Sequence, residues 1–256
     1  MQRFFNKIFS LFGIYNWIKL FRDRYFKNPV QREFNDRLKS FYSGLLKPGD
    51  LCFDVGANFG YRTETFLKLG AKVVAVEPQP QPAKFLKMKF KNDIVLVQKA
   101  LGDKNEIKPM LISSANALSS LSEDWVSAVK NDRFKSESWN KKIDVEVTTL
   151  DNLIDQYGVP EFCKIDVEGY EYEVLRGLTK PVQLLSFEYT IPEFTDRAIK
   201  CLNYLSDLGD MICNYSPGES LKFGLDDWLK PEVFIPIFKE LPNKNIIDGD
   251  IYVRFT

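Results

Sequence analysis

The chain contains no histidine among its 256 residues. That absence removes the Ser-His-Asp triad, the Cys-His pair, the HExxH zinc site and every imidazole base. Acid–base chemistry here falls to carboxylates, lysine, tyrosine, cysteine or water. Cysteine is scarce, and Cys52, Cys163, Cys201 and Cys213 form no CxxC pair. Cys52 and Cys163 sit in apolar runs, as small buried hydrophobes of a reducing compartment do, so a cytoplasmic location is expected. Net charge is missing too, because 35 Lys and Arg balance 35 Asp and Glu. A uniformly basic chain is thereby excluded, and no nucleic-acid partner is expected. Long apolar runs are also lacking. The longest uncharged stretch of the N-terminus, Ile8 to Ile18, is too short to span a bilayer, and it shows no small-residue cleavage site.

What is present from about residue 48 is a rhythm of strand and helix. Asp50–Val55 is a short apolar run broken by Gly56–Gly60, and Tyr61–Leu69 reads as a helix closed by Gly70. Lys72–Glu77 reads as a second strand, Pro80–Phe90 as a second helix and Ile94–Ala100 as a third strand. This spacing predicts βαβ units and a parallel sheet. Residues 113–142, rich in Ser, Asn, Lys and Glu, are expected to form an irregular excursion over the sheet, placed as a lid would be. Ile143–Thr148 alternates like a strand, and Asp151 is expected to cap a short helix through Tyr157. Strands over Glu161–Val167 and Gln183–Tyr189 alternate with helices over Tyr170–Leu178 and Thr195–Leu208, and Asp250–Phe255 is expected as a final edge strand. The sum is an α/β fold with a doubly wound, mostly parallel sheet, whose ligand belongs at the carboxyl ends of the strands. The domain division expected is a helical extension over 1–45 and the α/β domain over 46–256.

The first turn, Phe53-Asp54-Val55-Gly56-Ala57-Asn58-Phe59-Gly60, has glycines that let the backbone turn sharply and approach a ligand. Its GxNxG spacing is neither the GxGxxG of dinucleotide dehydrogenases nor a phosphate-cradling GxxxxGK[ST] loop. Asp54 lies before the first glycine, where it can face an ammonium group. Glu77 ends the next strand 23 positions later, where a carboxylate can accept hydrogen bonds from both ribose hydroxyls. Gly56, Asn58 and Gly60 complete a nucleoside site, and Ala100 and Leu101 after the third strand are candidate walls for the base.

FDVGANFG, the strand ending VVAVEP, the segment QKALGDK and the block KIDVEGYEYEVLRG together resemble the FkbM-type S-adenosylmethionine-dependent methyltransferases. The resemblance covers roughly residues 50–190, with LDNLI and the closing DIYVRF in keeping. It implies a class I, Rossmann-like methyltransferase fold, S-adenosylmethionine as cofactor and O-methylation of a hydroxyl on a sugar, glycan or related small molecule. Methyl transfer is an in-line displacement in which alignment comes first, and a positioned base adds about 10²–10⁴-fold. Asp166 ends a strand expected beside that of Asp54, Glu168 lies on the following turn, and Glu188 ends the next strand, so these three are the candidate catalytic acids. Glu171, three residues beyond Glu168, reads as an acid complementing a helix N-terminus, Glu173 as solvated, and Lys164 as the neutraliser of a neighbouring acid or a substrate contact. No metal is assigned, although carboxylates alone suit a hard divalent ion. The rivals are a nicotinamide-dependent oxidoreductase, which calls for the GxGxxG turn this chain lacks, and a non-catalytic S-adenosylmethionine-binding protein, against which the intact acids argue. An RNA methyltransferase finds no NPPY-like sequence here, since KIDVEGYE stands in its place.

At the N-terminus, Phe4, Phe5, Ile8, Phe9, Leu11, Phe12, Tyr15 and Ile18 share one broad helical face, followed by Lys19, Arg22, Arg24 and Lys27. Two roles fit residues 1–27: peripheral contact with the inner face of an anionic membrane, or a cover or oligomer contact of the domain.

Overall fold

Runs rich in valine, isoleucine and phenylalanine pair as strands because branched and aromatic side chains suit a pleated surface buried on both faces. The computed structural model describes residues 29–131 and 133–256. Residues 1–27, with their two expected roles, lie outside the described residues. Helix α1 (Pro29–Ser43) precedes β1 (Leu51–Val55), α2 (Tyr61–Lys68), β2 (Lys72–Val76), α3 (Pro80–Phe90) and β3 (Ile94–Val97). Then come β4 (Ala100–Leu101), β5 (Glu106–Ile112), α4 (Glu123–Val129) and β6 (Lys141–Thr148). The chain continues through α5 (Leu150–Tyr157), β7 (Phe162–Ile165), α6 (Glu171–Arg176), β8 (Leu184–Thr190) and α7 (Thr195–Leu208). It ends with β9 (Met211–Pro217), α8 (Pro231–Lys239) and β10 (Asp248–Phe255).

The main sheet has the order β3-β2-β1-β7-β8-β10-β9. Its first five strands are parallel, and β10 runs antiparallel to both β8 and β9. The strand order reverses beside β1, so a crevice opens at the carboxyl ends of β1 and β7. Alternation along the strands divides the core. Phe53, Val55, Cys163, Ile165, Leu185 and Phe187 pack with α5 to α8 on one face. Cys52, Phe162, Leu184 and Tyr252 pack with Leu38 and Tyr42 of α1, Phe66 of α2 and Leu86 of α3 on the other. A small second sheet, β4-β6-β5, borders the crevice.

Four expectations need correction. The run Ile94–Ala100 is not one strand: β3 stops at Val97, and Ala100–Leu101 pairs with β6 in the small sheet. The closing strand is not at an edge, because β9, which the sequence reading missed, pairs along its outer side. The helix α5 is capped by Thr149, whose hydroxyl accepts from the Asn152 N–H at 3.1 Å. Asp151 instead ties α5 to the chain beyond α6, accepting from the Thr179 N–H at 3.0 Å and hydroxyl at 2.7 Å. The excursion over 113–142 holds an ordered helix, α4, whose Ser122 cap accepts from the Trp125 N–H at 3.1 Å.

Phe162 sits at the centre of the α1-side core. Tyr42 and Phe66 each lie 5.8 Å from it between ring centroids, and Tyr252 stacks at 6.5 Å. Phe162→Ala removes a ring that its rigid neighbours cannot replace, so urea denaturation is expected to show a loss of about 3–5 kcal/mol. A loss below about 1 kcal/mol contradicts this account of the core.

Candidate active site

The cleft at the carboxyl ends of β1, β2 and β7 is lined by Gly56, Asn58, Glu77, Ala100, Leu101, Asp166 and Glu168, together with Gln79, Met110, Leu121 and Tyr170. Seven residues singled out from the sequence thus converge on one space. Its floor depends on Gly56, which has φ 81°. A Cβ at that position meets the carbonyl oxygen of Asp166 at 1.8 Å, so no other residue fits beneath the crossing loop.

Glu77 is buried, and its carboxylate fixes both rims. Oε2 accepts from the Asn58 N–H and Oε1 from the Gln79 N–H, each at 2.8 Å. Burial pushes its carboxyl up to about 7, against the pull of those two amides. Asn58 Oδ1 is buried and has no partner among the described residues. Asp54 and Gly60 stand outside the lining. Asp54 lies under the turn, its Oδ2 taken by the Thr63 hydroxyl, and burial raises its carboxyl. Gly60 holds the left-handed entry to α2.

The acids form a second focus. Asp166, Glu168 and Glu188 each bring a carboxylate oxygen within 4.8 Å of the others. Strand register explains the convergence. Ile165 pairs with Phe187, so Asp166, just past the end of β7, and Glu188, still within β8 rather than at its end, stand side by side. Glu168 has φ 54°, strained for a side chain with a Cβ. Its loop is held from three sides. Ser120 donates to the Glu168 carbonyl at 2.6 Å, and Glu171 Oε1 accepts from the Gly169 N–H at 3.1 Å and the Val167 N–H at 3.3 Å. Burial, then the charges of Asp166 and Glu171, hold the Glu168 carboxyl well above its ordinary range. Burial and the Glu168 and Asp166 charges do the same to Glu188. Burial also pushes Glu171 up to about 7.

Beyond Glu188 lies a smaller hollow lined by Trp125, Gly169, Glu171, Glu188, Thr190 and Arg197. Trp125 Nε1 and Arg197 Nε are buried without a hydrogen-bond partner among the described residues. Gly169 makes the approach of Trp125 possible: it has φ 84°, and a Cβ there meets the indole at 2.4 Å. Sequence reasoning placed Trp125 only in the excursion and missed Arg197, because neither carries a local motif. Glu173 is not solvated but pairs with Arg197 across α6 and α7. Lys164 does neutralise acids, donating to Asp250 at 2.8 Å and to Asp166 at 3.2 Å.

Residues 54–212 match the model of the methyltransferase FkbM domain. The chain belongs to the FkbM methyltransferase family. Its cofactor is S-adenosylmethionine. No curated protein matches it. Solved structures resemble it more distantly. A precorrin-6y C5,15-methyltransferase from Geobacter metallireducens is 13% identical, with 85% of this chain and 87% of that one covered and a TM-score of 0.42. A TehB-like methyltransferase from Corynebacterium glutamicum is 11% identical, with 86% and 87% covered and a TM-score of 0.44. An rRNA methylase from Streptococcus thermophilus is 11% identical, with 90% and 98% covered and a TM-score of 0.41.

The cleft fits the cofactor. Each Glu77 oxygen keeps a lone pair for a ribose hydroxyl after bonding one amide. Ala100, Leu101, Met110 and Leu121 offer an apolar slot for the base. Among the described residues no helix is long and apolar enough to cross a membrane.

The raised Glu77 carboxyl fixes a sign. Its proton is held more tightly in the folded apo protein than in the unfolded chain, so its contribution to stability is full below the ordinary carboxylate range and is lost as pH rises through about 7. Ribose hydroxyls favour the ionised form, so affinity for S-adenosylhomocysteine is expected to rise with pH up to about 7 and then level off. Glu77→Gln is expected to cost about 1.5–3 kcal/mol of that affinity and to flatten the pH dependence. Titration calorimetry checks both, and an unchanged slope in the variant removes Glu77 from the ribose site.

Proposed function

We propose that this methyltransferase O-methylates a hydroxyl of a neutral sugar, glycan or related small molecule. The supporting observation is the chemistry of the hollow beside Glu188. Its carboxylates can only accept hydrogen bonds when ionised, whereas the N–H groups of Trp125 and Arg197, which also line it, can only donate. A hydroxyl does both. A ligand carboxylate is repelled by Glu171 and Glu188 once they ionise, and a ligand ammonium offers no acceptor for an N–H donor.

The cofactor, when bound, supplies a methyl group activated on a sulfonium. The chain's own residues do the rest. Gly56 and Asn58 shape the turn that positions the cofactor, and Glu77 orients its ribose. An acceptor hydroxyl held against the Asp166–Glu168–Glu188 cluster would pass its proton to one of these carboxylates as it took up the methyl group that the cofactor would supply. Burial serves this step, because an acid with raised proton affinity is a stronger base once ionised.

Labelled methyl transfer to a panel of neutral glycosides, amino sugars and uronic acids tests the acceptor class. Asp166→Asn, Glu168→Gln and Glu188→Gln keep shape but remove a base. At least one of them is expected to lower turnover about 10²–10⁴-fold while S-adenosylhomocysteine affinity stays within about threefold of the unsubstituted protein, well under the ~1.4 kcal/mol of a tenfold change. Near-normal turnover in all three, or preference for charged sugars, contradicts the proposal.

For residues 1–27 the corresponding proposal is a peripheral contact that brings the active site to a membrane-borne acceptor. Full-length protein is then expected to float with anionic vesicles, and less so at high salt, whereas a chain starting at Asn28 stays in solution, folded. If the full-length chain never floats and the shortened one aggregates, the segment is a cover or an oligomer contact.

A further inference from the structure

Lys164 lies mid-strand in β7 with a side chain 1% exposed. Burying an ammonium is costly, and an apolar residue of similar volume serves a core at least as well. The groups around this one come from every neighbouring element. Asp54 stands beside it on β1, Tyr42 on α1, Arg62 on α2 and Asp250 on β10, with Tyr252 of β10 next to Tyr42, while Asp166, Glu168, Glu171 and Glu188 rim the cluster above it. Two of them accept its hydrogen bonds: Asp250 Oδ1 at 2.8 Å and Asp166 Oδ2 at 3.2 Å. The distribution within the cluster is uneven. Asp166 receives an ammonium hydrogen bond, whereas among the described residues the side chains of Glu168 and Glu188 receive none. Carboxylates this close cannot all ionise cheaply, and Lys164 is the cation that hydrogen-bonds into the cluster.

We propose that Lys164 is a positioning residue whose ammonium, clamped by Asp250, holds Asp166 as the paired carboxylate and leaves Glu168 and Glu188 as the two groups that exchange a proton with the acceptor. The division of labour rests on the proposed role of the cluster as the base, but the charge arrangement can be measured without any acceptor. Lys164 pulls the proton affinity of both glutamates down, which gives each substitution a defined sign.

The test is carboxyl-carbon NMR of the full-length protein with ¹³C-labelled glutamate and bound S-adenosylhomocysteine, titrated across pH. Glu168 and Glu188 are expected to titrate as a coupled pair. Lys164→Met should move that titration to higher pH, while Lys164→Arg leaves it near its original place. Asp250→Asn removes one of the two anions that occupy the ammonium, so it should move the titration to lower pH. A folded Lys164→Met protein with an unmoved titration overturns the proposal. If Lys164→Met does not fold, an unmoved titration in Asp250→Asn overturns it equally. Calorimetry on the same samples separates the two ideas. Absent cofactor binding removes the proposed reaction, whereas the glutamate titrations still judge Lys164.

Discussion

The site depends on one close approach. Where β1 leaves the sheet, the backbone of Asp166 occupies the volume that a side chain at position 56 would need. The Asp166 N–H continues the ladder by donating to the Val55 carbonyl at 2.9 Å. The glycine turn and the acid loop therefore share a floor, and neither can shift without the other. In-line methyl transfer gains most from fixed geometry between donor and acceptor. Here the spacing between the glycine turn and the acid loop is set by backbone against backbone, which side-chain motion cannot loosen.

Charge is the second constraint. The crevice concentrates carboxylates that water would otherwise solvate, and each is answered differently. Glu77 accepts from two backbone amides, Glu171 from two more, Asp54 from Thr63, and Asp166 from Lys164. Only Glu168 and Glu188 lack such a partner among the described residues, and their proton affinities are held well above the ordinary range. A cluster in which every acid was satisfied would be a structural network. The two that are not are the pair proposed to exchange a proton with the acceptor.

Much of this was legible in the sequence, for local reasons. Gly56 and Asn58 mark a sharp turn, Glu77 closes a valine strand, and Asp166 and Glu168 end another, so strand–helix rhythm alone places them at one edge. The missed parts depend on partners distant in the chain. Nothing near Thr149 distinguishes it from Asp151 as a cap, because Thr179, 28 residues away, decides which is free. Gln98–Lys99 breaks an apparently continuous strand because β6 offers Ala100 a second sheet to join. Glu173 has the surroundings of a solvated acid until α7 brings Arg197 against it. Trp125 and Arg197 belong to no motif, and only tertiary packing sets them beside Glu188.

The excursion over 113–142 joins these constraints. Asn116 accepts from the Gln79 side chain at 3.0 Å, Ser120 donates to the Glu168 carbonyl, and Trp125 packs on Gly169. The same segment thus touches the cofactor rim, the strained acid loop and the hollow beside it. A lid that merely covers a site can vary freely, but one that supplies a hydrogen bond to the strained residue cannot. Substitution of Ser120 or Trp125 is therefore expected to loosen the loop that carries the acids.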